Sequence, residues 1–421
     1  MSAKSEAVDL IVTNARELAT ATGAAARGGA DLGALRVIAG GALAVKAEKI
    51  VGVGPEAEIR ARFTAGETLD ARGGTIVPGF VDAHTHPVFD GTREEEFEMR
   101  TRGATYIEIA AAGGGILSSV RGVREASREV LLANLLLRLD RFLELGTTTI
   151  EAKSGYGLTT EDEIKSLEVI AAARARHAVE IVPTFLGAHD YPLEFRDRKS
   201  LYVDLVVEEM LPRVASAGLA EYCDVFTEGH VFGIEDSRRI LRRANELGLR
   251  PRLHADQLSQ LGGAQLAAEV GAASADHLEF VDDPGLDALR AAGVVPILCP
   301  VVPLYLRIER EAPGRRMIDR GLCVALSTDF NPGSCYLQSL PTAMAWAALR
   351  YRMSAAETLT AATLNAAASL GRADRLGTLE VGKQADFVCL DVPNHRHLVY
   401  EQGRNAVLAV VKKGRVVRRR S

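Results

Sequence analysis

Four residues in this 421-residue chain have the types and placement to hold a metal ion: His84, His86, His254 and Asp329. His84 and His86 lie two apart at the end of the apolar run VPGFVDAHTH. Side chains two apart on a strand leave by the same face, so both imidazoles would enter one site. His254 ends the run RPRLHAD, and Asp329 ends CVALSTDF. Three imidazole nitrogens and a carboxylate oxygen are borderline donors that suit zinc or iron, with water completing the shell. A cation held this way makes its bound water a nucleophile near neutral pH, which is the chemistry of hydrolysis. A single histidine is more often a structural group than a ligand. The recurrence of donors at the ends of separate apolar runs is what favours a metal centre. His189 and His277 sit on two further runs, VEIVPTFLGAH and SADHLEF, and join the candidates.

Such donors need a scaffold that gathers strand ends. From residue 77 to 370, short apolar strands alternate with amphipathic helices. Eight strands are expected: FVDAHTH, TTTIEAKS, VEIVPTFLGAH, CDVFTEG, RPRLHAD, SADHLEF, VVPILCP and CVALSTDF. Helical patterns cover Arg124–Leu145, Glu161–Arg176, Leu201–Ala217, Asp236–Leu247 and Gln265–Val270. Thr160 with Glu163 fits a capping box. Gly146, Gly218, Gly248, Gly271, Gly293 and Gly321 each stand between a helix and a strand, as glycines ending helices do. Eight βα units in about 290 residues predict an α/β fold, a (β/α)8 TIM barrel, with its chemistry at the C-terminal strand ends.

The flanks read as β structure: DLIVTN, RVIAGGALAV and KIVGVG before the barrel, TLEVGKQADFVCLDV and AVLAVVKKGRVV after it. Ala21–Leu35 is rich in Ala and Gly and reads as a loop. Neither end is long enough to bury a sheet face alone. Residues 1–76 and 371–421 are therefore expected to join in one small, discontinuous β-sandwich domain beside a barrel over 77–370.

A chain that is 47% hydrophobic and 25% charged is not mostly disordered, collagenous or a small disulfide scaffold. A net charge of −5 gives no overall attraction to nucleic acid or an anionic membrane. The basic tail Lys412, Lys413, Arg415, Arg418, Arg419 and Arg420 reads as a solvated end. Five cysteines without a CxxC are expected to be reduced, buried thiols of a cytoplasmic protein. The first residues lack the cationic start and apolar run of a signal peptide. No stretch is apolar for long enough to predict a membrane span. GGGI at Gly113–Ile116 lacks the lysine and flanking elements of a phosphate loop and reads as a loop covering the site.

VPGFVDAHTH is similar to the first-strand signature of the amidohydrolase superfamily. Within it, longer stretches resemble the imidazolonepropionase family: HPVFDGTREEEFEMRTRGATYIEIAAAGGGI, EAKSGYGL, PTFLGAHDYP, LHADQLS, ADHLEF and STDFNPGS. The likeness runs over essentially the whole chain. It implies one divalent or trivalent metal ion, zinc or iron, on His84, His86, His254 and Asp329. It implies substrate contacts by Arg93, Tyr156, His189, Gln257, Asn331, Gly333 and Ser334, and it matches His277 to a sixth-strand histidine. The reaction implied is hydrolytic opening of 4-imidazolone-5-propanoate to N-formimidoyl-L-glutamate in histidine degradation. A homodimer is expected for such a barrel.

The chemistry of these residues agrees with that substrate. Arg93 offers a fork of donors for a carboxylate. Tyr156 lies in SGYG, where glycines let the backbone approach a ligand. His189 and Gln257 can hydrogen-bond ring nitrogens or the carbonyl. Asn331, Gly333 and Ser334 follow Asp329 on the eighth-strand loop, although NPG is also plain turn chemistry. Gln257 is an amide and takes no proton, which leaves Asp329 and His277 as acid–base candidates. In the expected mechanism Asp329 accepts the proton of the attacking water and returns it to the leaving nitrogen, while His277 or His189 stabilises the oxyanion.

A cytosine-type deaminase and a two-metal, dihydroorotase-like amidase are the nearest alternatives. The second would want a bridging lysine at the end of the fourth strand, where CDVFTEG offers Glu228. A non-catalytic assembly protein would have lost ligands that are intact here. His177, His230, His395 and His397 have no evident partner in the sequence.

Overall fold

A computed structural model gives the fold and describes residues 5–104, 108 and 113–420. Residues 105–107 and 109–112, within the long stretch that ends in GGGI, lie outside the described residues. Eight parallel strands follow one another around a barrel: β1 Phe80–Asp82, β2 Thr147–Lys153, β3 Glu180–Ala188, β4 Tyr222–Thr227, β5 Arg250–Ala255, β6 Ser274–His277, β7 Val295–Leu298 and β8 Ala325–Leu326. These are the eight expected runs, in the expected order. TTTIEAK in β2, rich in β-branched residues, is buried along its whole length, as suits a strand covered on both faces.

β8 is two residues long, too short for a full ladder with β1. Side chains close that seam. The Asp82 carboxylate accepts from Thr328 N at 3.0 Å, from Thr328 Oγ1 at 2.6 Å and from the Ser327 hydroxyl. Just beyond, Thr85 and Phe330 form a parallel bridge, and His86 N donates to Phe330 O at 2.8 Å. The seam thus brings the HTH segment and the Asp329 loop side by side.

All six glycines expected to end helices have positive φ, from 62° at Gly218 to 89° at Gly146. Three local readings differ from the structure. The helix expected over Arg124–Leu145 is two, Ile116–Glu125 and Arg128–Glu144, because Ser127 caps the second through Val130 N at 3.3 Å. The first of these starts at Ile116, the last residue of GGGI, with Gly115 as its N-cap. Thr159, not Thr160, caps Thr160–Arg174. Glu163 is not drawn to the cap: its carboxylate accepts from Gly155, Gly157 and Leu158 N–H at 2.8–2.9 Å and so holds the SGYG turn. A capping box is present elsewhere, at Ser354 and Glu357.

Two sheets outside the barrel come from both ends of the chain. One has the order Lys49–Pro55, Gly41–Lys46, Glu6–Thr13, Phe63–Asp70. The other has the order Arg415–Arg419, Val407–Lys412, Phe387–Leu390, Thr75–Pro78, Glu17–Thr20, Arg36–Ala39. Phe387–Leu390 pairs antiparallel with Thr75–Pro78, which ties the two termini into one sheet. Leu10, Val12, Leu43 and Val45 of the first sheet pack on Leu18, Ile76, Phe387 and Cys389 of the second. Among the described residues no helix is long and apolar enough to cross a membrane.

The barrel interior has two unlike layers. Toward the N-terminal strand ends, Val81, Val182, Tyr222, Val295 and Ile297 meet Ala366, Ala367 and Leu370 in an apolar plug. Toward the C-terminal ends lie Glu151, Lys153, Asp224, Arg252 and Asp276, all fully buried. The candidate site stands on this second layer.

Candidate active site

The four expected metal donors meet. His86 Nε2 lies 3.3 Å from His84 Nε2 and 3.3 Å from His254 Nε2. Asp329 Oδ1 lies 3.5 Å from His84 Nε2 and 3.4 Å from His86 Nε2. Donors about 2.0–2.2 Å from a tetrahedral ion stand roughly 3.4 Å apart, so these separations match a shared cation. The proton positions point the same way. His84 gives Nδ1 to Asp276 Oδ2 at 2.6 Å, and His254 gives Nδ1 to Asp224 at 3.1 Å. Each carboxylate fixes the N–H on Nδ1 and turns an Nε2 lone pair to the common point. Lone pairs facing one another at this distance repel unless a cation lies between them. Burial, followed by the charges of neighbouring cationic groups, holds His84 and His86 well below the usual imidazole range, in the neutral form that ligates. The donor set therefore fits zinc or iron.

The carboxylates behind the imidazoles are themselves held. Lys153 Nζ bonds Glu151 Oε1 at 2.6 Å and Asp224 Oδ2 at 2.7 Å. Arg252 lies 3.7 Å from both Glu151 and Asp276 and donates to Ala83 O at 2.7 Å. Burial alone would raise Asp224, yet His254 and Lys153 beside it hold it well below the usual carboxylate range. Lys153 rises from β2 and is engaged by two carboxylates, so it is not a free lysine of the kind that bridges two metals. Glu228, at the end of β4, accepts from Leu258 N at 2.7 Å and Ser259 N at 3.2 Å. It fixes the loop that carries Gln257.

Asp329 and His277 occupy left-handed backbone, with φ of 50° and 78°. Such strain in non-glycine residues costs energy and collects at functional sites. Burial pushes the Asp329 carboxyl up to about 7. His277 Nε2 lies 4.0 Å from Asp329 Oδ2, and neither ring nitrogen of His277 has a hydrogen-bond partner among the described residues.

Above this floor is a cavity of about 630 Å³. His86, His254, His277 and Asp329 reach it, as do all seven residues implied as substrate contacts: Arg93, Tyr156, His189, Gln257, Asn331, Gly333 and Ser334. His84 lies fully buried beneath. His189 bonds Gly155 O through Nδ1 at 2.9 Å and stacks on His86, with ring centroids 5.1 Å apart. Burial lowers its pKa to about 3, so it is neutral with its Nε2 lone pair free. It can accept a proton donor at Nε2 and cannot donate there.

Asn331 is engaged within its own loop. Its amide donates to Asp329 O and Ser334 Oγ, both at 2.7 Å, and its carbonyl accepts from Gly333 N and Ser334 N at 2.8 and 2.7 Å. It shapes the turn behind Asp329 with all of its side-chain hydrogen-bonding capacity. Gly333 has a steric reason: a Cβ there would stand 2.1 Å from Arg93 Nη1. Arg93 is paired with Glu96, Nε to Oε1 at 2.9 Å and Nη2 to Oε2 at 2.7 Å.

Several cavity residues escaped the sequence reading. Arg100, Arg307 and His230 line it. Arg100 and Arg307 lie on a helix and a loop, away from the strand ends where a barrel gathers its chemistry. His230 lay just past the fourth strand and could have been found there. Gly115 and Ile116, the end of GGGI, also reach the cavity. His395 has a structural partner, Glu17 Oε1 at 2.7 Å.

The profile of the amidohydrolase family matches residues 75–417. An imidazolonepropionase of Symbiobacterium thermophilum is 49% identical over 414 residues, covering 97% of each chain. Those of Solibacter usitatus and Geobacillus kaustophilus are 49% and 46% identical, covering 98% and 97% of this chain and 99% and 97% of theirs. Among solved structures, an adenosine deaminase of Xanthomonas campestris with bound zinc superposes with a TM-score of 0.75 at 22% identity, over 98% of this chain and 93% of that one. A guanine deaminase of E. coli gives 0.75 at 17% identity, over 98% and 99%. At that identity the structures speak for the fold alone. The long, nearly end-to-end sequence matches are more specific, and by them the chain belongs to the imidazolonepropionases of the amidohydrolase family.

Proposed function

We propose that this protein is a metal-dependent hydrolase that opens the ring of 4-imidazolone-5-propanoate to N-formimidoyl-L-glutamate in histidine degradation. The observation that carries the reading is the gathering of His84 Nε2, His254 Nε2 and Asp329 Oδ1 around His86 Nε2, each 3.3–3.4 Å from it, beneath a cavity walled by Arg93.

His84, His86, His254 and Asp329 would hold one zinc or iron ion. Such an ion, when bound, supplies a water of lowered pKa and polarises a carbonyl. Arg93 binds the propanoate carboxylate through Nη1, the edge that Glu96 leaves open. Tyr156, with its ring 5.2 Å from that of His189, bounds the space for the imidazolone ring. His189 accepts a ring N–H at Nε2. Gln257 donates to the ligand and relays no proton. Asp329 takes the proton of the attacking water on Oδ2 and returns it to the ring nitrogen as the C–N bond breaks. His277 donates to the carbonyl oxygen as it gains charge. Water is thereby added across one amide bond, OH to carbon and H to nitrogen. The same reading carries a homodimer in the cytoplasm; five unpaired cysteines support a reducing compartment.

The test is direct. Metal-replete protein incubated with 4-imidazolone-5-propanoate should abolish the ring absorbance, chelation should stop this, and zinc or iron should restore it. An unchanged ring spectrum, with ammonia released from an aminated base instead, would overturn the reading in favour of a deaminase.

A further inference from the structure

We propose that the carboxylate arm of the substrate is held by two guanidinium groups, Arg93 and Arg100, both placed against Gly333. The inference rests on the substrate reading above and adds Arg100, which the family likeness does not carry over as a contact.

Both arginines line the cavity and lie seven apart on the segment of Glu94–Thr101 and its N-cap. Arg93 is held by Glu96 through Nε and Nη2, so Nη1 is the edge left for a ligand. That guanidinium lies on the α-carbon of Gly333, where any Cβ would meet it. Arg100 Nη1 donates to Gly333 O and Tyr305 O, both at 3.3 Å. These are long bonds to neutral acceptors. Among the described residues no carboxylate forms an ion pair with Arg100, and its side chain is half-buried.

Charge completes the argument. Glu96, paired with Arg93, is the carboxylate whose charge also acts on Arg100, so the two guanidiniums lean on one anion. Burial, then the nearby charge of Arg93, lowers the pKa of Arg100: the two cations repel each other in a partly desolvated place. An anion between them would relieve that repulsion and accept hydrogen bonds from both. Arg307 adds to the same field; it lines the cavity, and its Nη1 donates to Arg100 O at 2.9 Å. Arg93, Arg100 and Arg307 thus line the same cavity as the candidate metal donors His86, His254 and Asp329.

The alternative is that Arg100 only ties its helix to the Tyr305 and Gly333 loops. Two probes separate these roles: an imidazole bearing a propanoate arm, and its primary amide. Their affinities for the metal-loaded protein are measured by calorimetry for wild type, Arg100→Met and Arg100→Lys. Wild type should prefer the carboxylate. Arg100→Met should weaken carboxylate binding by about tenfold or more while the amide stays within about twofold, and Arg100→Lys should recover part of the loss. In turnover, Arg100→Met should raise KM with kcat nearly unchanged. Equal weakening of both probes, or no change in either, overturns the proposal. Wild-type turnover reports separately on the substrate reading. A lost carboxylate preference without any ring opening would sink that reading and leave the two-arginine site standing. Ring opening with an unchanged preference would sink the arginine pair alone.

Discussion

On the floor of the cavity, His84 is fixed by Asp276 at 2.6 Å and His254 by Asp224 at 3.1 Å, and both carboxylates sit in a fully buried ion layer. On the wall, Arg93 is fixed by Glu96, three residues along the same helix, and Arg100 by two neutral carbonyls. The floor is borne by the ends of β1, β5 and β8, with the β1–β8 seam closed by the Asp82 side chain and the Thr85–Phe330 bridge. The wall is borne by the helix Glu94–Thr101, from its N-cap Arg93 to Arg100 in its last turn, and by residues 331–334 beyond Asp329. The difference follows from what each must do. A metal ion would tolerate little error in donor placement, which suits candidate donors set on and just past barrel strand ends, two of them with buried carboxylate partners. A carboxylate at the end of a flexible arm is recognised by charge and hydrogen bonds over a wider range of positions, and a less constrained wall suffices.

Substitutions can break this contrast. The largest effect is expected at the floor, from Asp329→Asn. Asparagine tolerates the left-handed φ of 50° at this position and has nearly the same shape, so the fold should survive. It cannot accept the proton, and kcat should fall by about a thousandfold or more in the ring-opening assay. Wild-type rates would remove Asp329 from the chemistry. One step back, Asp224→Asn leaves every ligand in place but loosens His254 and faces Lys153 with a neutral amide. Metal affinity, read by competition with a chelator, should drop about 10- to 100-fold. Unchanged affinity would mean that the buried ion layer does not orient the ligands. The smallest effect is expected at the wall, from Gly333→Ala. The new Cβ displaces the end of the Arg93 side chain, which is flexible, so thermal stability should barely move. KM should rise roughly tenfold with kcat nearly constant, the sign of lost ground-state binding. A fall in kcat with unchanged KM would place Gly333 in the chemistry of the floor instead.

The floor was legible in the sequence because strand geometry makes it so. HTH places two imidazoles on one face whatever the rest of the chain does, and the barrel rule locates His254, His277 and Asp329 at strand ends. The layer beneath was not legible. Glu151, Lys153, Asp224 and Arg252 sit in apolar runs where a charged residue gives no sign of its partner, and each partner comes from another strand. Glu163 shows the limit from the other side. Its spacing from Thr160 fits a local cap, but three backbone N–H groups of the SGYG turn offered its carboxylate a better, buried site. Asn331 reads as a ligand contact or a turn former; the hydrogen bonds show the turn.

By itself, then, the sequence determined the order of strands and helices, the metal donor types and the family, since periodicity, strand-end position and long motifs are properties of the linear chain. Tertiary structure decided which lone pairs face each other, which carboxylates hold the imidazoles, and that Arg100 shares a wall with Arg93. Those facts depend on through-space distances of a few ångströms between residues far apart in the chain, and no spacing rule encodes them.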